Sequence, residues 1–272
     1  MKSRIFLMAI MLLVTVGTMA QVRGNGNVTK ESRDVGNFSS IKLTCSADLY
    51  ITQGPTAVTV ETDENIIELI KTEVNDDVLY IGVKGRGFRS VEKLRVYVTT
   101  PSIEKLMNSG SGDIYFDGVY KTNDLYISIN GSGDLEAELK ATNVEIKING
   151  SGDTELSGVM GMFKATVSGS GDIDAEDLRL EECYIKNSGS GDISLEGKTN
   201  VLTVNQHGSG DLDAYHFVAV NATVSNSGSS DISLHVVEKL QVTLNGSGDL
   251  TYRGDPQKVD VRANGSGDVY KR

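Results

Sequence analysis

The chain has 272 residues, a formal charge of −11, 39% hydrophobic residues, 30 glycines and three prolines. An acidic surface repels phosphate polymers, which argues against nucleic acid as a partner. The hydrophobic content is enough for one large core or one long thin core, and the many glycines favour repeated turns.

Residues 1–20 have the features of an export signal. Lys2 and Arg4 precede an apolar run at residues 5–16, and small residues follow up to Ala20. The run is shorter than the roughly twenty apolar residues that cross a bilayer, so we predict cleavage and no transmembrane segment afterwards. No cysteine follows the run to accept a lipid, so the expected location is periplasmic, cell-surface or secreted.

Residues 21–104 alternate between apolar and polar positions only loosely. The stretch "IKLTCSADLYITQG", residues 41–54, has strand alternation, and further alternating segments surround residues 58–60, 78–81 and 94–98. Between them, "DENIIELIKTEV" is compatible with a helical turn. We interpret residues 21–104 as irregular coils continuous with the repeats that follow, with a separate amino-terminal domain as the alternative.

Residues 105–272 contain a regular repeat that ends in the phrase Gly-Ser-Gly-Asp. Eight of the nine phrases have this sequence, and the seventh reads Gly-Ser-Ser-Asp at residues 228–231. The aspartates that close them are Asp113, Asp134, Asp153, Asp172, Asp192, Asp211, Asp231, Asp249 and Asp268. Their separations of 18 to 21 residues indicate a repeat architecture.

Each repeat contains two segments of strand alternation. Counted from the aspartate, apolar residues recur at +1 and +3 and at −9, −7 and −5, which predicts a strand, a short polar arc, a second strand and a glycine corner. An all-β fold follows. Two architectures fit: a parallel β-solenoid with coils of about 19–20 residues, and an antiparallel meander forming a barrel or sandwich.

Three successive repeats place an amide at the inward position −5, and this favours the solenoid. Asn187, Gln206 and Asn226 occupy that position. A buried amide without partners costs on the order of 1–3 kcal/mol, and only stacked parallel coils bring equivalent side chains within reach of one another. We therefore predict that the three amides point into the core in register and bond to each other. Eleven or twelve coils would make a rod of roughly 50–60 Å.

The glycine corner has a structural and a chemical interpretation. Glycine accepts positive φ, and Asp, Ser and Asn bond neighbouring amides in turns, so a structural corner explains every residue of the phrase. Calcium-binding β-rolls also use glycine and aspartate, but their repeat is nine residues long. The structural corner is therefore predicted, with a calcium-stiffened rod as an alternative.

The sequence contains no recognisable catalytic motif. Its three histidines, His207, His216 and His235, show no triad or zinc spacing, and no phosphate loop is present. Cys45 and Cys183 occupy different points of the repeat many coils apart, so two buried free thiols are expected instead of a disulfide. We predict no enzyme and assign no catalytic, cofactor-binding or metal-binding residue, with a carbohydrate-active enzyme as the alternative.

Several segments in order resemble a known family. They are "RDVGNFSSIKLTCSADLYITQG" (residues 33–54), "VTVETDENIIELIKTEVNDDVLYI" (58–81), "LRVYVTTPSIEKLMNSGSGDI" (94–114) and the Gly-Ser-Gly-Asp repeats. Together they resemble the auto-transporter adhesin family named for its "head GIN" domain, across nearly the whole chain after residue 20. The resemblance implies a right-handed parallel β-helix and no known enzymatic activity.

These observations together predict an exported, non-enzymatic, adhesin-like protein. Its long lateral faces would contact a glycan or a protein at the cell envelope. Tyr115, Tyr126 and Tyr184 fall at outward positions and could stack on sugar rings. Open ends of a solenoid invite association, so a cap or a homo-oligomer through the solenoid ends is also expected.

Overall fold

The computed structural model describes residues 21–85 and 87–272, so the predicted signal peptide, residues 1–20, lies outside the described residues. Parallel coils stack into a β-solenoid of about nine turns. The predicted solenoid is confirmed, and the antiparallel meander is wrong for the repeats because their strands pair in parallel. Among the described residues, the only helical element is the 3-10 helix Ile67–Leu69.

Residues 21–85 and 87–272 form 21 strands. They are β1 (Val22–Arg23), β2 (Val28–Arg33), β3 (Ser40–Leu43), β4 (Asp48–Gln53), β5 (Ala57–Asp63), β6 (Ile70–Asn75), β7 (Val78–Val83), β8 (Phe88–Arg89), β9 (Leu94–Thr100), β10 (Lys105–Asn108), β11 (Ile114–Phe116), β12 (Tyr120–Ile129), β13 (Leu135–Ile148), β14 (Thr154–Val167), β15 (Ile173–Asn187), β16 (Ile193–Gln206), β17 (Leu212–Asn226), β18 (Ile232–Leu244), β19 (Leu250–Arg253), β20 (Lys258–Ala263) and β21 (Val269–Lys271).

The regular coils lie in β12 to β18, where each long strand pairs with the strands before and after it. The predicted inward positions are buried, so one continuous core runs along the stack. The predicted polar arcs do not interrupt the strands. They coincide instead with register shifts inside them, such as the one between Ser157 and Met162, because the coils differ in length there.

The buried amides lie in register, but their bonding differs from the prediction. Asn187, Gln206 and Asn226 pair in one row and are at most 1% exposed, which confirms their inward direction. The mutual ladder is wrong: each side-chain nitrogen donates to a carbonyl of its own glycine corner, such as Asn187 Nδ2 to Gly191 O at 2.7 Å. Asn108 makes the same contact at Gly112, at 2.9 Å.

The corner glycines are needed because successive coils stack closely, with no room for a Cβ. The prediction had explained them by a positive φ instead. A Cβ on Gly189 would lie 2.0 Å from the carbonyl oxygen of Gly169, and a Cβ on Gly169 would lie 1.9 Å from that of Gly150. None of the glycines in the nine corners has a φ between +20° and +160°. The second glycine position admits one exception, Ser230, whose buried Oγ lies 3.4 Å from Asn226 Oδ1.

Residues 21–104 build one end of the stack, and their order in space differs from their order in sequence. β3 and β4 pair in parallel with β10 and β11 on one side and with β7 and β9 on the other. Beyond these, β5 and β6 pair antiparallel to β9 and β7, and β2 pairs antiparallel to β5. These antiparallel strands cap the end, so about nine turns form, and eleven or twelve is wrong. The predicted helical turn is confirmed at Ile67–Leu69.

Both cysteines are buried free thiols, as predicted. Burial raises the pKa of the Cys45 thiol and raises that of Cys183 far more. Because the thiolate is the reactive form, both side chains behave as small apolar groups of the core.

Candidate functional site: a lateral groove and two charged faces

The corner aspartates form a ladder along one edge of the stack. From Asp134 to Asp268, each aspartate backbone N–H donates to Oδ1 of the aspartate one coil earlier, at 2.7–3.0 Å. These bonds offset the repulsion between neighbouring carboxylates. Among residues 21–85 and 87–272, no group of three or more His, Cys, Asp or Glu side chains is arranged to hold a metal ion.

The strands that follow the corner carry an acidic face. In β13 to β17 the outward side chains at +2 and +4 include seven carboxylates and no lysine or arginine. The members of this acidic face are Glu136, Glu138, Glu155, Asp174, Glu176, Glu196 and Asp213.

The strands that precede the corner carry the opposite charge. At the outward positions −8 and −6 of β10 and β12 to β15, and at the matching positions of β3, five lysines accompany a single glutamate, Glu145. We name this surface the lysine face. Its lysines are Lys42, Lys105, Lys147, Lys164 and Lys186, and Tyr126 and Tyr184 lie between them.

A groove of about 940 Å³ lies beside the lysine face, across the arcs of successive coils. Its walls combine ammonium, carboxylate, amide, aromatic and thioether groups. The lining residues are Ser102, Glu104, Lys121, Thr122, Asn123, Asp124, Leu125, Tyr126, Lys140, Thr142, Asn143, Glu145, Met160 and Met162.

The irregular arc of β14 forms one wall of the groove. Between Ser157 and Met162 this strand loses its register with β15, and Gly158 has a φ of +84°. The bulge turns two methionines outward, and Met160 is 48% and Met162 36% exposed. Exposed thioethers are adaptable contact surface, so the bulge gives the groove an apolar wall.

Some polar groups of the groove are held by hydrogen bonds within the protein, and others have no ionic partner there. Asn143 Nδ2 donates to Asp124 Oδ1 at 2.7 Å and fixes both side chains. In the described part of the chain, the ammonium groups of Lys121 and Lys140 make no salt bridge. These two exposed donors are therefore free to contact acceptors on a ligand.

Tyr126 and Glu145 connect the groove to the lysine face. The ammonium groups of Lys105 and Lys147 lie 5.3 and 5.1 Å from the centre of the Tyr126 ring, within cation–π range. Glu145 accepts from Lys164 at 3.2 Å and from Lys147 at 3.3 Å. Its partial burial acts to raise its pKa, but the two lysines outweigh burial and the pKa lies below its usual value.

The predicted outward tyrosines do face outward and are half-buried by neighbours. Tyr115 belongs to a column that sequence reasoning missed, in which it stacks on Tyr50 and Tyr50 stacks on Tyr97, each pair 5.2 Å apart. The groove was missed too. The charged faces could have been found in the sequence. The outward positions after the glycine corner hold the acidic residues, and those before the corner hold the lysines.

The fold and surface define a repeat protein with a continuous apolar core and long lateral faces. The family described as "Putative auto-transporter adhesin, head GIN domain" matches residues 37–195 and 184–256. The chain belongs to this family. No protein of curated function matches it.

Solved structures of the same fold cover nearly all of the chain. One titled a putative adhesin from Parabacteroides distasonis is 21% identical, with a TM-score of 0.70, over 93% of this chain and 100% of its own. A putative lipid binding protein from the same species is 22% identical, with a TM-score of 0.68, over 93% and 100%. A putative adhesin from Parabacteroides merdae is 19% identical, with a TM-score of 0.68, over 93% and 99%.

The family's adhesin label is consistent with a binding role and with an exported or surface protein. No helix among the described residues is both long and apolar enough to span a membrane.

Proposed function

We propose that this protein is a non-enzymatic, adhesin-like binding protein that contacts a glycan or a protein at the cell envelope through its lateral faces, with the groove as the primary site. The observation that carries the proposal is an open groove in which free ammonium groups, a fixed amide, a tyrosine and two exposed methionines lie together. Such a set hydrogen-bonds hydroxyl groups and packs against sugar rings, so a glycan fits better than a protein.

A binding role is supported over catalysis by the state of two of the three carboxylates that line the groove. Asp124 is held by Asn143, and Glu145 is neutralised by two lysines. Two catalytic carboxylates of a glycosidase need one raised pKa, whereas the pKa of Glu145 is lowered. A screen of neutral and acidic polysaccharides for turnover distinguishes the two classes, and any hydrolysis or elimination would favour the enzyme.

Glycan-array binding, run with calcium and with chelator, tests the proposal. We expect Lys140→Glu to weaken binding of the array's strongest ligand by about tenfold, because it places a like charge beside acidic and hydroxyl acceptors. Lys198→Glu is the matched control, since Lys198 is exposed at the same +6 position of a coil outside the groove. Equal effects of the two variants would place the ligand elsewhere, and loss of binding with chelator would support the calcium alternative.

A homo-oligomer through the solenoid ends is the second part of the proposal, and the edge at β20 supports it. Val259 and Val261 continue the inward rows of Leu240 and Val242, which are buried, yet they are 43% and 40% exposed. No strand of the described residues pairs with the free edge of β20. A two-fold arrangement with Val261 opposite its own copy would pair the β20 edges antiparallel.

Charge complementarity selects this register. With Val261 on the axis, Asp260 of each copy lies opposite Arg262 of the other. We expect Asp260→Arg to dissociate the dimer, because it sets arginine against arginine, and the double variant Asp260→Arg, Arg262→Asp to restore it. Sedimentation equilibrium measures the mass. A monomeric parent protein, or a double variant as monomeric as the single one, would contradict this arrangement.

A further inference from the structure

The surface charge of this chain is segregated between two strand faces of the same coils. The chain carries a formal charge of −11, and the acidic face accounts for seven carboxylates without a basic residue. The lysine face nevertheless carries five lysines against one glutamate. Mixed charges would serve solubility equally well, so the separation indicates a surface shaped for a partner of one sign.

Three lysines of the lysine face contact tyrosine rings, either Tyr126 of that face or Tyr80 of the neighbouring strand β7. Lys105 and Lys147 flank the Tyr126 ring at 5.3 and 5.1 Å, and Lys42 lies 5.8 Å from the centre of the Tyr80 ring. Lys147 and Lys164 still expose 41% and 37% of their side chains. Contacts that orient the ammonium groups lower the entropy cost of binding an anion, while the exposed parts remain accessible to it.

We propose that the lysine face binds a linear anionic polysaccharide, one that carries carboxylate or sulfate groups along its chain. This inference rests on the proposed glycan-binding function and specifies the ligand class. Lysines on stacked coils recur at multiples of about 4.8 Å along the axis, so a polymer lying along the stack meets cations repeatedly. Each exposed ion pair contributes little alone, but several on one chain add through effective concentration. Tyr126 and Tyr184 provide ring edges for the sugars between them.

Two other polyanionic partners fit this face less well. A membrane would require apolar side chains to enter the lipid, and Met107 is the only apolar aliphatic residue at the −8 and −6 positions that form the lysine face. Duplex nucleic acid carries one charge per about 1.7 Å, so the protein's overall negative charge repels it more strongly than a polymer with one charge per sugar. The polysaccharide is therefore the favoured occupant.

The test measures the affinity of the purified protein for polygalacturonate, heparin and neutral dextran by biolayer interferometry at low and high salt. We expect one or both acidic polymers to bind, dextran to bind at least about tenfold more weakly, and high salt to weaken the acidic interaction. The triple variant Lys105→Gln, Lys147→Gln, Lys186→Gln should raise the Kd by about tenfold or more.

The matched control is Lys198→Gln, Lys239→Gln, Lys258→Gln, which removes the same charge outside the lysine face and should keep the parent Kd. Circular dichroism of both variants shows that they are folded. Equal loss in the two triple variants would overturn the inference, because net charge would then explain binding.

The remaining measurements compare the acidic glycans with other negatively charged ligands and with a neutral glycan. Single-stranded DNA or phosphatidylserine vesicles that bind as tightly as the acidic glycans would also overturn the inference. Dextran binding as tightly as polygalacturonate would overturn it while leaving the proposed glycan function intact. No binding to any carbohydrate, here or on the array, would remove both.

Discussion

Replacing Gly189 with alanine should destabilise the solenoid by at least about 3 kcal/mol, the upper part of the range for overpacking. The new Cβ would lie 2.0 Å from the carbonyl oxygen of Gly169 in the preceding coil. That oxygen also accepts the backbone N–H of Ser190 at 3.0 Å. Because both groups belong to the backbone, no side-chain movement relieves the clash, and separating the coils breaks the hydrogen bond. Urea unfolding followed by circular dichroism measures the loss.

Ser190→Ala is the control for this experiment. Its side chain is exposed in the same corner, so its effect should stay within about 0.5 kcal/mol. An unchanged urea midpoint for Gly189→Ala would show that the backbones of successive corners are farther apart than 2.0 Å contacts with a Cβ require.

Removing one complete period should leave a folded, shorter solenoid, whereas removing half a period should abolish folding. Ile173, Ile193 and Leu212 lie in one row, so deletion of residues 193–211 lets Leu212 stack directly on Ile173. The melting temperature should stay within about 10 °C of the parent value, since 1 kcal/mol shifts it by about 2–4 °C in a domain of this size. Thermal unfolding and limited proteolysis report the outcome.

Deletion of residues 193–202 is the comparison. It leaves too few residues between two corners to complete a coil, and it breaks the backbone ladder on both sides. We expect an unfolded or aggregated protein. A cooperative transition in the half-period variant, equal to that of the full-period variant, would mean that the coils do not depend on in-register neighbours.

Much of the regular stack could be predicted because its rows repeat. The positions +1, +3, −9, −7 and −5 recur in sequence, and a parallel stack buries them together. The direction of Asn187 followed from this pattern, but its partner did not. The repeating positions determine whether a side chain points inward. The carbonyl of Gly191 accepts the hydrogen bond from Asn187 only because the corner bends back towards it.

The parts that escaped prediction depend on departures from the period. One wall of the groove forms where β14 bulges between Ser157 and Met162, and a change of register is invisible when only the positions of aspartates are counted. The order of β7, β3 and β10 in the stack escaped for a related reason. Residues 21–104 lack a fixed spacing. Nothing in the sequence therefore indicates that the chain forms β7 and β9 on one side of the β3–β4 coil before it continues with β10 and β11 on the other side. The division at residue 104 stays a prediction.

The placement of β7 and β9 beside β3 and β4 affects the order in which the coils can assemble during synthesis. The coil of β3 and β4 obtains its lower neighbours, β7 and β9, from residues that precede the repeats, and each later coil adds to a surface already made. During synthesis from the amino terminus, the strands of this end of the stack are therefore complete before the first Gly-Ser-Gly-Asp phrase is made. We expect growth to proceed in a single direction, with every layer serving as the template for the next.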